Sequence, residues 1–173
     1  MTVLHPAGVL PSLILAAAWY FILQRARASM WRLALISFPS TLAHELAHFV
    51  VGFFLLAQPA DFSVWPKRSG DRWRLGSVSF RRINLLNGAF VALAPCVFLP
   101  LAWLCLSHFA APLWAGHRWG WWLLSGYLAA AALFAASPSV QDLKQGSPSF
   151  LFYAIIGGAW WLFGASAWRE WFH

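Results

Sequence analysis

The sequence predicts an all-α polytopic membrane protein with about five transmembrane helices and a short β-hairpin between the second and third. Hydrophobic residues make up 61% of the 173 residues and charged residues only 10%, whereas soluble domains carry about a quarter charged residues. The charged residues fall into short clusters, and the apolar runs between them approach or exceed the ~20 residues that cross a bilayer as a helix. Because these runs nearly use up the chain, we expect one membrane domain over residues 1–173.

The first two predicted helices precede the polar part of the chain. The first spans about Ala7–Gln24 and ends at an arginine cluster. The first residues lack Lys and Arg, so no cleavable signal peptide is evident and this helix is expected to be retained. The second spans about Arg32–Ala57, and Pro39 is expected to kink or break it near its first turns, because proline lacks a backbone N–H.

The polar stretch Gln58–Arg82 predicts a β-hairpin. Its two short runs, Asp61–Trp65 and Trp73–Phe80, are rich in aromatic and β-branched residues and flank a turn that contains proline and glycine. That pattern is typical of two antiparallel strands.

Three further apolar runs predict the remaining helices, at about Asn84–His108, Trp119–Ala136 and Pro148–Trp168. A Ser-Pro-Ser sequence separates the last two. The third run holds both cysteines of the chain, Cys96 and Cys105, which are expected to be buried apolar thiols and not part of a disulfide framework.

The net charge of +7 does not indicate nucleic-acid binding. Basic residues that bind nucleic acid form a solvated face of a folded domain, whereas here they lie between apolar runs, where they can meet anionic lipid headgroups. If all five helices cross the membrane, the hairpin and Lys144 lie on the same side and together contribute seven Lys/Arg there. The other side of the membrane then holds five. The positive-inside rule then favours a cytoplasmic hairpin by a narrow margin.

One motif inside the second predicted helix carries chemistry. It reads His44-Glu45-Leu46-Ala47-His48, an H-E-x-x-H pattern. Side chains at i and i+4 are neighbours on one helical face, so both imidazoles can bind one zinc ion. Glu45 can lie beside the metal without binding it and accept a proton from the attacking water. Ionisable residues are costly inside a membrane, so such a cluster points to function; a proton relay or a polar His–Glu network is the main alternative to a metal.

A catalytic zinc site needs a third protein ligand, and Asp142 is the strongest candidate. It closes the fourth apolar run after the Ser-Pro-Ser break, and with alternating crossings it lies on the same side as the hairpin. The alternative is an interfacial acid beside Lys144. The other His and acidic residues fall at helix ends, in the hairpin or in the tail: His108, His117, His173, Asp61, Asp71 and Glu170.

Together, the H-E-x-x-H motif in a predicted transmembrane helix, a following hairpin and a distant Asp resemble the site-2 protease family of intramembrane zinc metalloproteases. The resemblance covers about Arg32–Gly146, with the helices at about 7–24 and 148–168 as additions. It implies that His44 and His48 bind one Zn²⁺ per chain, that Asp142 is the third ligand and that Glu45 is the catalytic base.

The resemblance also implies a membrane-protein substrate, cleaved in or next to a transmembrane segment, and an active site that faces the cytoplasm. A bacterial inner membrane is the expected location. Asn84 and Asn87 are candidates for holding substrate, as asparagines do in that family; the alternative is an ordinary interfacial helix start. The family's Leu-Asp-Gly sequence is not kept, because Asp142 stands in Gln-Asp-Leu-Lys.

Two other function classes remain open from the sequence. A membrane transporter of metal ions or protons could use His44, His48 and Asp142 as a transient site, although its polar residues should then occur at several depths. A noncatalytic, protease-like interaction protein is the other class, and the presence of Glu45 counts against it, because metal binding alone does not need that residue.

Overall fold

The computed structural model describes residues 6–26, 29–69 and 72–164. Most of these residues are helical, and one small antiparallel sheet joins two halves of the chain. The eight α-helices are α1 (Pro6–Ala26), α2 (Met30–Ile36), α3 (Phe38–Phe54), α4 (Gly88–Leu93), α5 (Phe98–Leu104), α6 (Ala111–Ala115), α7 (Trp119–Ala135) and α8 (Val140–Ala159), and the two strands are β1 (Pro59–Ser69) and β2 (Arg72–Phe80).

The predicted break in the second helix is confirmed. The chain forms α2 and α3, which are separated at Ser37, instead of one helix over 32–57. Pro39 lies in the first turn of α3, where its missing N–H costs nothing because first-turn N–H groups have no partner within the helix.

The predicted hairpin is also confirmed. β1 pairs with β2 in antiparallel register, with Asp61 opposite Ser79, and the Ser79 hydroxyl donates to the Asp61 carboxylate at 3.1 Å. The register shifts between Ser63 and Pro66, as expected where a proline cannot donate to the sheet. Asp71 in the predicted turn lies outside the described residues.

The third apolar run begins and ends later than predicted. A turn over 84–87 precedes α4, and the helical run continues over Gly88–Ala115. A 3₁₀ turn at Ala94–Val97 separates α4 from α5 and contains one proline, and a π-helical turn at Cys105–Ala110 joins α5 to α6. With these two irregular turns, the helical run accommodates its prolines and continues to Ala115.

The predicted start of the last helix at Pro148 is wrong, because α8 begins at Val140. Ser139 and Asp142 form a capping box: the Ser139 hydroxyl accepts from the Asp142 N–H, and the Asp142 carboxylate accepts from the Ser139 N–H. Pro148 lies inside the helix, and the Lys144 carbonyl that it leaves without an N–H donor accepts from the Ser147 hydroxyl. The predicted end at Trp168 lies outside the described residues.

In the part of the chain that the structure describes, two helical runs are long and apolar enough to cross a membrane, Ala7–Ala26 and Gly88–Ala115. The α7–α8 pair adds a third if the two helices, bent by 51° at their break, count as one span. The predicted count of five spans is therefore not confirmed. Large apolar side chains such as Ile14 and Leu151 are each 63% exposed on the helix surfaces, as suits association with lipid.

The helices pack through small residues. Ala16 of α1, Ala110 of the π-helical turn and Ala129 of α7 form a buried cluster together with Leu106. Alanines let helix backbones approach closely, which is how helices pack in membranes. α8 packs against α4 through a similar contact, because a methyl group on Gly146 would lie 2.6 Å from Cβ of Ala92.

Candidate metal centre

The two histidines of the motif and the predicted third ligand come together. His44 and His48 lie one turn apart on α3, and Asp142 enters from the first turn of α8. One ligand atom from each residue lies within 4.8 Å of the other two. Within the described ranges, this is the group of three His, Cys, Asp or Glu residues that could hold a metal ion.

Each imidazole is oriented by a backbone carbonyl of another helix. Nδ1 of His44 lies 2.7 Å from the Ala135 carbonyl oxygen at the end of α7, and Nδ1 of His48 lies 2.8 Å from the Val91 carbonyl oxygen in α4. A carbonyl only accepts, so Nδ1 donates in both rings. The neutral rings then carry their proton on Nδ1 and present the lone pair of Nε2, the arrangement found in metal-binding histidines.

The three acceptor atoms face one another. The Nε2 atoms are 3.1 Å apart, and Oδ2 of Asp142 lies 3.5 Å from Nε2 of His44 and 3.4 Å from Nε2 of His48. Two unprotonated nitrogens and a carboxylate oxygen repel unless a cation or a proton lies among them. The side chains of His48 and Asp142 are only 5% and 13% exposed, so water screens this repulsion little. Two imidazoles and a carboxylate are also a ligand set of catalytic zinc, and the donor set therefore fits this ion.

The Asp142 carboxylate is held in place by the local sequence. Oδ2 accepts from the backbone N–H of Ser139 at 2.6 Å, in the capping box at the start of α8. The Ser-Pro-Ser break between α7 and α8 therefore orients this carboxylate toward α3.

Glu45 lies beside the cluster and outside the group of three. It is 7% exposed and lines the same narrow cleft as His48 and Asp142. The cleft receives side chains from α3, β2, the turn after β2, α4 and α8. Its lining residues are Glu45, His48, Val78, Phe80, Ile83, Gly88, Val91, Ala92, Asp142 and Gln145.

Sequence reasoning missed Gly76, which contacts the predicted base. Gly76 has φ +73°, and a methyl group built on it would lie 2.6 Å from both Cγ and Oε1 of Glu45. The β2 backbone thus passes directly over this carboxylate. The signal was available, because an isolated glycine inside a strand pattern often marks a close approach of the backbone.

Asn84 and Asn87 do not line the cleft in the described structure. The buried Asn87 amide donates to the carbonyls of Leu55 and Arg82 at 3.3 and 3.0 Å, and its Oδ1 accepts from the Asn84 N–H at 2.8 Å. The side chain therefore ties the end of α3 to the turn that precedes α4. A role of the two asparagines in holding substrate stays a prediction.

The remaining sequence candidates lie apart from the cluster. His108 is exposed, and its Nδ1 lies 2.8 Å from the Ser107 hydroxyl. Asp61 pairs with Ser79 in the hairpin, and His117 packs edge-on against Trp119. Glu170 and His173 lie outside the described residues. Both cysteines are free thiols, and both are partly exposed, so the prediction that they are buried is wrong.

No family model, curated protein or solved structure matches this chain. The functional argument therefore depends on the geometry of its own residues.

Proposed function

We propose that this protein is an intramembrane zinc metalloprotease, similar to the site-2 proteases, that hydrolyses peptide bonds in or next to transmembrane segments. The observation that carries the proposal is the convergence of Nε2 of His44, Nε2 of His48 and Oδ2 of Asp142 beside the buried carboxylate of Glu45. These three residues would hold one zinc ion per chain.

A bound zinc ion supplies a Lewis acid that polarises a carbonyl and makes a water molecule acidic. The chain's own contribution is the placement of Glu45. Its carboxylate would accept a proton from water as the water oxygen bonds to the carbonyl carbon, and would deliver that proton to the leaving nitrogen as the C–N bond breaks. One water molecule is consumed for each peptide bond cleaved, and charge is balanced. A purely structural metal site has no need of such a buried carboxylate next to its ligands.

The hairpin offers a way to hold the substrate. A peptide bond in a membrane helix is shielded, because its backbone groups are already bonded within the helix. Cleavage needs an extended segment, and an extended peptide can add to an exposed strand edge through main-chain hydrogen bonds. β1 and β2 pair only with each other among the described residues, and Val78 and Phe80 of β2 line the cleft. We propose that a substrate strand pairs along the hairpin and reaches the cleft.

The proposal includes a multi-pass arrangement in a bacterial inner membrane. In this arrangement α1, the run over 88–115 and α7 would supply three crossings, and the α2–α3 pair and α8 would supply the other two of the predicted five. The basic residues of the hairpin support a cytoplasmic position of the cleft under the positive-inside rule. Reaction of single cysteines in the hairpin with an impermeant thiol reagent, in a variant without Cys96 and Cys105, would test the side.

Cleavage and metal flux are measured on the same sealed liposomes. The purified protein is reconstituted with single-span peptides of varied sequence as substrates and with a zinc-sensitive dye inside. The proposal expects new peptide ends that appear only with zinc bound and no flux. Flux without cleavage would favour the transporter, and bound zinc with neither activity would favour a noncatalytic role.

A further inference from the structure

A second polar site lies one helical turn before His44, near the start of α3. Three buried polar atoms have no hydrogen-bond partner among the described residues: the hydroxyls of Ser37 and Ser40 and the indole N–H of Trp19. Ser37 and Ser40 are 0% and 1% exposed. Buried polar groups are nearly always paired, so such a group calls for an explanation, commonly an internal water molecule.

The hydroxyls of other buried serines in the described helices do have hydrogen-bond acceptors. The hydroxyls of Ser12, Ser107 and Ser125 each donate to a carbonyl three or four residues earlier in their own helix, at 2.7–2.8 Å. Ser149 donates to the Leu85 carbonyl in the turn before α4. The hydroxyls of Ser37 and Ser40 make no such hydrogen bond, although both residues are also buried.

The local reason is visible at Ser40. The carbonyl four residues earlier belongs to Ile36, and it accepts the Tyr127 hydroxyl of α7 at 2.8 Å. Ser37 is the N-cap residue of α3, yet its hydroxyl makes no capping hydrogen bond. The Tyr127 ring in turn packs edge-on against Trp19, with ring centroids 5.5 Å apart. The three unpaired groups thus border one junction of α1, α3 and α7.

This junction adjoins the candidate metal site formed by His44, His48 and Asp142. Ser37, Ser40, His44 and His48 follow one another along α3 at spacings of three or four residues, so they lie on one face of the helix. That face packs against α7, whose small Ala131 and Ala135 are buried. A hydroxyl without a partner therefore stands one turn before the first metal-ligand candidate.

We propose that the hydroxyls of Ser37 and Ser40 bind internal water at this junction, and that this water supplies the hydrolytic reaction from the start of α3. The supply role depends on the proposed function; the hydration of the junction does not. Water is a reactant of proteolysis and is scarce in the bilayer core. Water held beside His44, His48 and Asp142 can reach the reaction without passing through a cleft that is filled by substrate.

Hydration is tested without any activity, by water-edited solid-state NMR of serine-labelled protein in liposomes. The method measures how fast polarisation passes from water protons to each serine, and Ser37→Ala, Ser40→Ala and Ser125→Ala assign the signals. We expect the Ser37 and Ser40 signals to build up several-fold faster than that of the similarly buried, hydrogen-bonded Ser125. Build-up as slow as at Ser125 would show that the junction is dry and overturn the proposal.

The supply role is tested by turnover of a transmembrane peptide. Ser40→Ala should lower kcat several-fold while KM and zinc content stay unchanged, and Ser40→Thr, which keeps the hydroxyl, should restore part of the rate. Ser125→Ala is the matched control and should leave kcat unchanged. A hydrated junction with an unaffected kcat in Ser40→Ala would overturn the supply role. A wild-type protein that cleaves nothing would contradict the proposed function and leave the hydration result standing.

Discussion

Gly76 and Glu45 are in contact where the hairpin packs against α3. The Gly76 backbone leaves so little room that a methyl group there would lie 2.6 Å from Cγ and Oε1 of the Glu45 side chain. The position of the hairpin and the position of the proposed base are therefore linked. A substrate that pairs with the hairpin would be aligned with the carboxylate by the same contact.

Gly76→Ala should impair catalysis more than metal binding. The substitution places a methyl group against Glu45 and forces a left-handed φ on alanine, a backbone strain of about 1–3 kcal/mol. We expect kcat to fall while the zinc content per chain is unchanged. Gly120→Ala in α7 is the control, because a methyl group there meets no atom within 4 Å. Wild-type kcat in Gly76→Ala would contradict the linkage.

Glu45→Gln should abolish cleavage and keep the metal. Glutamine preserves the shape of the side chain and removes the carboxylate that accepts the proton, and loss of general-base catalysis typically costs about 10²- to 10⁴-fold in rate. Initial rates on a transmembrane peptide and zinc measured by atomic absorption, on the same preparation, check both parts. Full activity in this variant would refute the mechanism.

His44→Ala and Asp142→Ala should both lose zinc in chelator-free preparations. Each substitution removes one of three converging ligand atoms, which leaves too few protein ligands for a catalytic zinc site. Asp61→Ala, which alters a carboxylate of the hairpin, should keep the wild-type zinc content. Zinc lost in His44→Ala but retained in Asp142→Ala would mean that another residue completes the site. A wild-type protein that binds no metal would favour the alternative of a polar His–Glu network.

Asn87→Ala should lower stability without loss of zinc. Its buried amide donates to the Leu55 and Arg82 carbonyls, and each hydrogen bond of this kind typically contributes about 0.5–1.5 kcal/mol to stability. The shift in the unfolding midpoint in detergent measures this effect, and the exposed Asn84 serves as the milder comparison in Asn84→Ala. Unchanged stability together with a raised KM would instead support the predicted role in holding substrate.

The sequence predicted the parts of the fold that depend on local pattern. The hairpin, the break near Pro39 and the i, i+4 pair of histidines all follow from residue type and spacing, and the structure contains each of them. The start of α8 differs from the predicted one because the helix begins at the Ser139–Asp142 capping box and accommodates Pro148 in its interior.

Long-range contacts were harder to predict. No spacing rule indicates that the Ala135 and Val91 carbonyls orient the two imidazoles, because these residues lie 91 and 43 positions away along the chain from their partners. The predicted count of five membrane spans differs from the structure for a related reason. Apolar runs fix the length of a helix, but packing sets its direction, and α8 packs against α4 after a 51° bend instead of reversing along α7.

In the proposed membrane arrangement, the length of α7 also sets the depth of the candidate metal site. Trp119 at its start packs with Trp114 and Trp122, and such aromatic groups anchor at the headgroup layer. Ala135, the partner of His44, lies about 24 Å further along at 1.5 Å per residue. The hydrocarbon core is about 30 Å thick. An α7 that crosses it upright from Trp119 would therefore place the candidate metal site close to the surface of the other leaflet. Sealed vesicles would then lose zinc to an impermeant chelator added on the hairpin side alone.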